Sequence, residues 1–198
     1  MTEEAKQPKK KNPYTIWFVV ASFVLPVVMA YFTFYFVDVT AFTNKGEILK
    51  PMVDIGSLGL TDENGEVIPR DKLTYKWRFY SFVGANCDTA CEKRLHERRQ
   101  VFRSLGKNRH RILQVIVQLE PANDTLRQLI DKEYADALIM GGDADKISAA
   151  FGGTAKLDEN EIYLMDPVGN VMMRFTQDLL MKDIQHDIKK LLKASQIG

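Results

Sequence analysis

Hydrophobic and polar positions divide the chain into one long apolar block and a region of short alternating patterns. From Tyr14 to Val37 run 24 residues without a charge, among them Trp17, Phe18, Val19, Val20, Val24, Leu25, Val27 and Val28. A helix of that length can cross a hydrocarbon core of about 30 Å. Tyr14 and Trp17 at one end, with Tyr31 and Tyr35 at the other, suit the two membrane interfaces. A membrane helix also tolerates Pro26. Signal peptides have a shorter apolar run, roughly 7–15 residues, and then a small-residue cleavage site. This block is longer and no such site follows, so an uncleaved anchor is expected.

Beyond it, residues 38–54 read as an irregular stalk containing Asn44, Lys45, Gly46 and Pro51. Leu58–Leu60 and Val67–Ile68 flank Asp62-Glu63-Asn64-Gly65, a hairpin-turn signal. Leu73 to Phe82 is aromatic and β-branched and predicts a buried strand broken at Gly84. A helix follows from about Asp88 to Leu105 and stops at Gly106. Its spacing puts Cys91, Leu95, Phe102 and Leu105 on one face, with Lys93, Arg94, Arg99 and Arg103 on the wet side. Arg111 to Val117 predicts a central strand, and Asn123 or Asp124 caps a helix reaching about Tyr134. Ala137 to Met140 is a short strand and Asp143 to Phe151 a short helix ended by Gly152-Gly153. Glu161–Met165 and Val171–Phe175 are strands joined by a turn over Asp166 to Asn170. Leu179 to Ala194 closes the chain as an amphipathic helix, with Ile184, Ile188, Leu191 and Leu192 inward.

The only two cysteines, Cys87 and Cys91, fall where the first buried strand hands over to a helix. A helix N-terminus and nearby cations favour the thiolate, the form that attacks disulfides or binds soft metals. Two residues four apart within a helix have Cβ atoms about 5–6 Å apart, and a disulfide needs about 3.5–4.5 Å. If the pair bonds, Cys87 therefore lies in the turn and Cys91 in the first helical turn. A static staple is the other reading, although a loop this short constrains little unfolded-chain entropy. Strand–helix alternation followed by a hairpin implies an α/β fold. The expected architecture is a thioredoxin-like mixed sheet with flanking helices, plus one N-terminal transmembrane helix.

Charge narrows the partners. Without the tail, whose lysines are Lys6, Lys9, Lys10 and Lys11, the chain has 23 basic and 24 acidic residues, so no nucleic-acid partner is expected. The run Lys93, Arg94, Arg98, Arg99, Arg103, Lys107, Arg109 and Arg111 reads as a solvated helix face and loop, with an acidic docking partner as the alternative. Lysines before the apolar block and Asp38 after it orient the N-terminus to the cytoplasm. The expected organisation is a cytoplasmic tail over 1–13, a transmembrane helix over 14–37, a stalk over 38–54 and one domain over 55–198. In a bacterium that domain is periplasmic and the membrane is the inner one, where disulfides can form.

Three segments resemble the Sco family of cytochrome c oxidase assembly proteins. Phe79 to Cys91 is similar to the family's strand followed by Cys-x-x-x-Cys. Val115 to Thr125 resembles its strand and "D-P-x-x-D-T" segment, and Ile162 to Asn170 its "Y-L-I-D-P-x-G" hairpin. The likeness spans about residues 55–195. Departures occur at Asp88 and Glu92, where the family usually has Pro beside the cysteines. The family's third copper ligand is a His five residues before the hairpin Tyr, and counting back from Tyr163 reaches Asp158.

The resemblance implies thiol–disulfide exchange through Cys87 and Cys91. The partner it implies is cytochrome c oxidase subunit II or another oxidase assembly factor. It also implies Cu(I) as cargo on the same two cysteines, but Cu(I) prefers thiolate, thioether or imidazole over a carboxylate such as Asp158. His96, His110 and His186 read as surface residues, and Met165, Met172, Met173 and Met181 as strand and helix core. Three readings stay open: a dithiol exchange protein, a Cu(I) metallochaperone and an assembly scaffold with a structural disulfide.

Overall fold

The computed structural model describes residues 14–36, 44–152, 157–195 and 197. The chain divides into two compact units, Met1–Thr43 and Asn44–Gly198. In the first, helix α1 (Tyr14–Phe36) contains Pro26. Its stretch Ile16–Tyr35 is long and apolar enough to cross a membrane by length and composition. The expected tail 1–13 and the end of the span at Val37 lie outside the described residues.

The second unit is built on six strands: β1 (Glu47–Asp54), β2 (Trp77–Val83), β3 (Ile112–Gln118), β4 (Leu138–Gly141), β5 (Ile162–Met165) and β6 (Asn170–Phe175). Their order across the sheet is β1-β6-β5-β2-β3-β4. The β2–β3 and β3–β4 pairs are parallel, while β2–β5, β5–β6 and β1–β6 are antiparallel. Parallel neighbours need long crossovers. Helix α2 (Thr89–Ser104) supplies the first and α3 (Asp124–Glu133) the second; α4 (Ala144–Ala150) and α5 (Met181–Ala194) follow. This is the mixed, helix-flanked sheet that the alternating pattern predicts.

All seven residues of β2 are buried, because the strand lies inside the sheet with layers on both faces. Alternation sends Phe79 into a layer with Val101 and Phe102 of α2 and Ile184 and Ile188 of α5. It sends Tyr80 and Phe82 to the opposite layer, with Leu58, Leu60 and Ile147. A bulge in β6 sets Val171 against Met165 and Met173 against Leu164, with Met172 between. One strand therefore feeds both layers: Val171 joins Tyr80, and Met173 joins Phe79.

Several local expectations are corrected. Residues 47–54 are not irregular: they form β1, whose pairing with β6 is interrupted between Ile48 and Val53, where Pro51 sits. The hairpin around Asp62 is reduced to one bridge, Thr61 to Val67, and Ile55–Leu58 is a 3-10 turn. The strand expected from Leu73 starts at Trp77, after a second 3-10 turn over Arg70–Leu73. The basic run is not a solvated face throughout: Arg94 is 4% exposed and Arg98 fully buried.

β1 is fixed at its start by α5. The buried Asp187 carboxylate accepts the backbone N–H groups of Lys45 at 2.6 Å and Gly46 at 2.8 Å. Gly46 has no room for a side chain, since a Cβ there would come 2.5 Å from Phe175 Cε1. Replacing Asp187 with Ala strands two N–H donors and deletes two charge-assisted bonds. The expected loss is roughly 2–4 kcal/mol, read by chemical denaturation in detergent with Trp77 as reporter. An unchanged midpoint would remove the clamp from this account.

Candidate dithiol site

β2 ends at Val83, and residues 84–88 turn the chain into α2. Asp88 is the helix N-cap, its Oδ1 accepting the Cys91 N–H at 2.9 Å while its carbonyl accepts the Glu92 N–H. Cys91 is thus the third residue of α2, and Cys87 stands one residue before the cap. The two form a disulfide with a Cα–Cα separation of 5.3 Å. Cys91 is 2% exposed and packs with Val83, Leu95, Ile116 and Leu126, whereas Cys87 is only partly buried. The sulfur pair therefore has an accessible member and an inner one, both at the positive end of a helix.

The turn is stapled to the start of α3. The Asn123 backbone N–H donates to the Ala85 carbonyl, its amide donates to Asn86 Oδ1 at 2.6 Å, and its own Oδ1 caps Leu126 N–H. α2 is stapled to the sheet by its two inward arginines. Arg94 donates to the carbonyls of Phe175, Thr176 and Leu179 and to Glu97. Arg98 donates to the Val115 carbonyl at 2.7 Å, and burial pulls its pKa down from the usual guanidinium range to about 10. Their spacing was the signal: Cys91, Arg94, Leu95, Arg98 and Phe102 share a helical face. Outside that face, Arg99 pairs with Glu133 and lies over the Tyr134 ring, and Arg111 holds the carbonyls of Leu192 and Ser195.

Beside the disulfide is an open cleft of about 370 Å³ lined by Asn86, Asp88, Cys91 and the loop Leu157, Asp158, Glu159 and Asn160. The structure thus brings Asp158 to the same cleft as Cys91. Its Oδ1 is occupied by the Asn160 N–H at 2.8 Å. Glu159, which no sequence pattern marked, presses on the turn: a Cβ at Gly84 would lie 2.9 Å from its Oε1. The histidines are elsewhere and exposed: His96 contacts Gln100, His110 contacts the Lys107 carbonyl, and His186 is on α5. Met165 and Met173 are fully buried in the sheet, while Met181 is exposed. Among the described residues, no group of three or more His, Cys, Asp or Glu is placed to hold a metal ion.

A family profile described as transmembrane-like, thioredoxin-like, C-terminal domain matches residues 77–195, more than half of the chain. The chain belongs to this thioredoxin-like family. The thioredoxin-like domain also shares its fold with yeast Sco1 solved with copper bound. There the identity is 20%, with 70% of this chain and 94% of that chain covered and a TM-score of 0.55. BsSco, described as a member of the Sco family of cytochrome c oxidase assembly proteins with a disulfide switch, matches at 15% identity. It covers 73% of this chain and 96% of its own, with a TM-score of 0.54. A thiol:disulfide interchange protein from Bacteroides sp. matches at 14% identity over 76% of this chain and 91% of its own, with a TM-score of 0.51. No curated protein matches by sequence.

Behind the cleft wall, Tyr163 donates its hydroxyl hydrogen to Glu161 Oε2 at 2.9 Å, and Arg174 stands 3.6 Å from the same carboxylate. Burial pushes the Glu161 carboxyl above its usual value, against the opposing pull of Tyr163 and Arg174. The folded domain therefore holds this proton more tightly than the unfolded chain. Its contribution to stability is full below the unfolded value near 4.5 and declines as pH rises through the folded one. Glu161→Gln should flatten that decline in a pH series of denaturation midpoints; an unaltered slope would assign it to other groups.

Proposed function

We propose that the domain is a Sco-like thiol–disulfide exchange protein supporting cytochrome c oxidase biogenesis. In this reading α1 anchors it in a bacterial inner membrane, with the N-terminus cytoplasmic and the dithiol periplasmic. One observation carries the chemistry: the Cys87–Cys91 disulfide sits at the N-terminus of α2 with one sulfur accessible and one buried. Cys87 is then the attacking thiolate and Cys91 the resolving one. The shared fold with BsSco supports the process, and that with the Bacteroides interchange protein supports the reaction type. The partner is subunit II of the oxidase or another oxidase assembly factor. The lysines ahead of α1 support the orientation.

The test is thiol trapping with a membrane-impermeant maleimide on right-side-out spheroplasts across a dithiothreitol series. Both cysteines should become reactive together at a potential above the structural class, which lies below about −300 mV. No labelling in intact spheroplasts, with labelling after lysis, would reverse the orientation. Resistance to reduction down to the structural range would favour the scaffold, as would normal oxidase assembly in a Cys87→Ser, Cys91→Ser double variant.

Copper as cargo is the second reading, favoured by the fold shared with copper-bound yeast Sco1. Opening the disulfide would offer two thiolates, but the rest of the donor set does not fit a three-ligand Cu(I) site. Asp158 supplies hard oxygen, the three histidines are exposed elsewhere, and Met165 and Met173 are sealed in the sheet. Residues 153–156 are Gly, Thr, Ala and Lys and bring no soft donor. In competition against a Cu(I) chelator, the reduced protein should bind weakly and Asp158→His at least about tenfold more tightly, since even an outer-shell partner of a metal ligand is worth about that much. Tight binding by the unaltered protein, unimproved by Asp158→His, would put copper first.

A further inference from the structure

The cleft beside Cys91 has a neighbour. Across Leu157, which borders both, lies a second hollow of about 250 Å³ walled by Ile48, Leu49 and Phe151. The two differ in chemistry. The first holds the carboxylates of Asp88, Asp158 and Glu159, and none of its described lining residues is a cation. The second is apolar along one wall and carries Lys50, Glu47 and Arg174 on its polar side, with Arg174 matched by Glu47 at 2.8 Å and Glu161 at 3.6 Å. Leu157 is the saddle between sulfur with negative charge on one side and an apolar hollow on the other.

The acidic side is held in place. Asp88 is fixed by the Cys91 N–H and Asp158 by the Asn160 N–H, and Glu159 lies against the backbone at Gly84. Asn160 in the same wall has a buried Oδ1 with no hydrogen-bond partner among the described residues. Three carboxylates in the cleft that Cys91 lines repel an acidic segment and attract a basic one, and they disfavour a departing thiolate unless a cation accompanies it.

We propose that this groove selects the redox partner as an extended segment with Lys or Arg beside its reacting cysteine and a bulky apolar side chain a few residues away. The basic group meets Asp158 and Glu159, and the apolar one crosses Leu157 into the second hollow. The proposal rests on the dithiol reading above. In the forward step the Cys87 thiolate attacks one sulfur of the partner's disulfide; that S–S bond breaks and the other sulfur leaves as a thiolate. The Cys91 thiolate then attacks Cys87 Sγ, forming the Cys87–Cys91 bond and releasing the partner's second thiolate. Two electrons pass to the partner, and this chain is left as the disulfide.

The test uses the reduced full-length protein in a neutral detergent and three peptides, each carrying a 2-pyridyl disulfide on cysteine: Lys-Cys-Lys-Ser-Leu, Glu-Cys-Glu-Ser-Leu and Lys-Cys-Lys-Ser-Ser. Thiopyridone release is followed by absorbance. At low ionic strength the first peptide should react at least about tenfold faster than the second, and the gap should close in about 0.5 M salt. The third should be several-fold slower than the first. An Asp158→Asn, Glu159→Gln double variant should react with the first two at nearly equal rates. Equal rates for all three peptides on the unaltered protein, or a gap surviving in the double variant, would overturn the groove. Brisk reaction with 2,2′-dipyridyl disulfide but none with any peptide would also overturn it. Failure with dipyridyl disulfide too would overturn the dithiol reading itself.

Discussion

Helix α2 is docked by two buried positive charges. A guanidinium removed from water is costly unless its donors find acceptors. Arg94 places its two terminal nitrogens on carbonyls of β6 and the segment after it, and Arg98 places Nη1 on the Val115 carbonyl, while the Arg94 Nε and the Arg98 Nε and Nη2 are buried without a partner among the described residues. A helix turned or slid by one residue would leave both charges without partners. That requirement fixes the rotation of α2 more tightly than apolar packing alone, since Leu95, Val101 and Phe102 could be accommodated by neighbours of similar volume. Cys91 rides on the same face, so the depth of the inner sulfur follows from where two arginines can be satisfied.

The sequence made some of this readable and hid the rest for identifiable reasons. Wherever a segment's partners are close in the chain or its burial is two-sided, the pattern was plain: the run before the cysteines and the closing hairpin. β1 was hidden because its partner β6 lies more than a hundred residues away, and Pro51 with Gly46 is an ordinary loop signature. Arg94 and Arg98 were misplaced because charge was allowed to outweigh spacing. Their positions three and seven after Cys91 put them on the buried face, and the carbonyl acceptors that make this tolerable belong to distant segments. Leu73 to Lys76 carried strand-like residues, but Tyr75 takes a positive φ of 73°, which a strand does not.

The candidate site was half legible. Two cysteines at a strand-to-helix junction announce themselves, and a five-residue count from Tyr163 led to Asp158, which does face the same cleft. Glu159 and Asn160 carried no periodic signal, because a loop's side chains are aimed by its particular turns. The Asp158 side chain closes one such turn on the Asn160 N–H. The groove over Leu157 needed coordinates, since its far wall combines β1 with Phe151 just beyond α4.

The disulfide joins residues only four positions apart. In a thermodynamic square linking oxidised and reduced, folded and unfolded states, what the bond adds to folding must equal what folding adds to the bond. A loop this short has few conformations to surrender, so the entropic part of that shared quantity is small. Opening the bond therefore removes little of the fold's stability through chain entropy. The sheet, the two arginines and the Asp187 clamp are held by contacts that do not pass through the sulfur–sulfur bond.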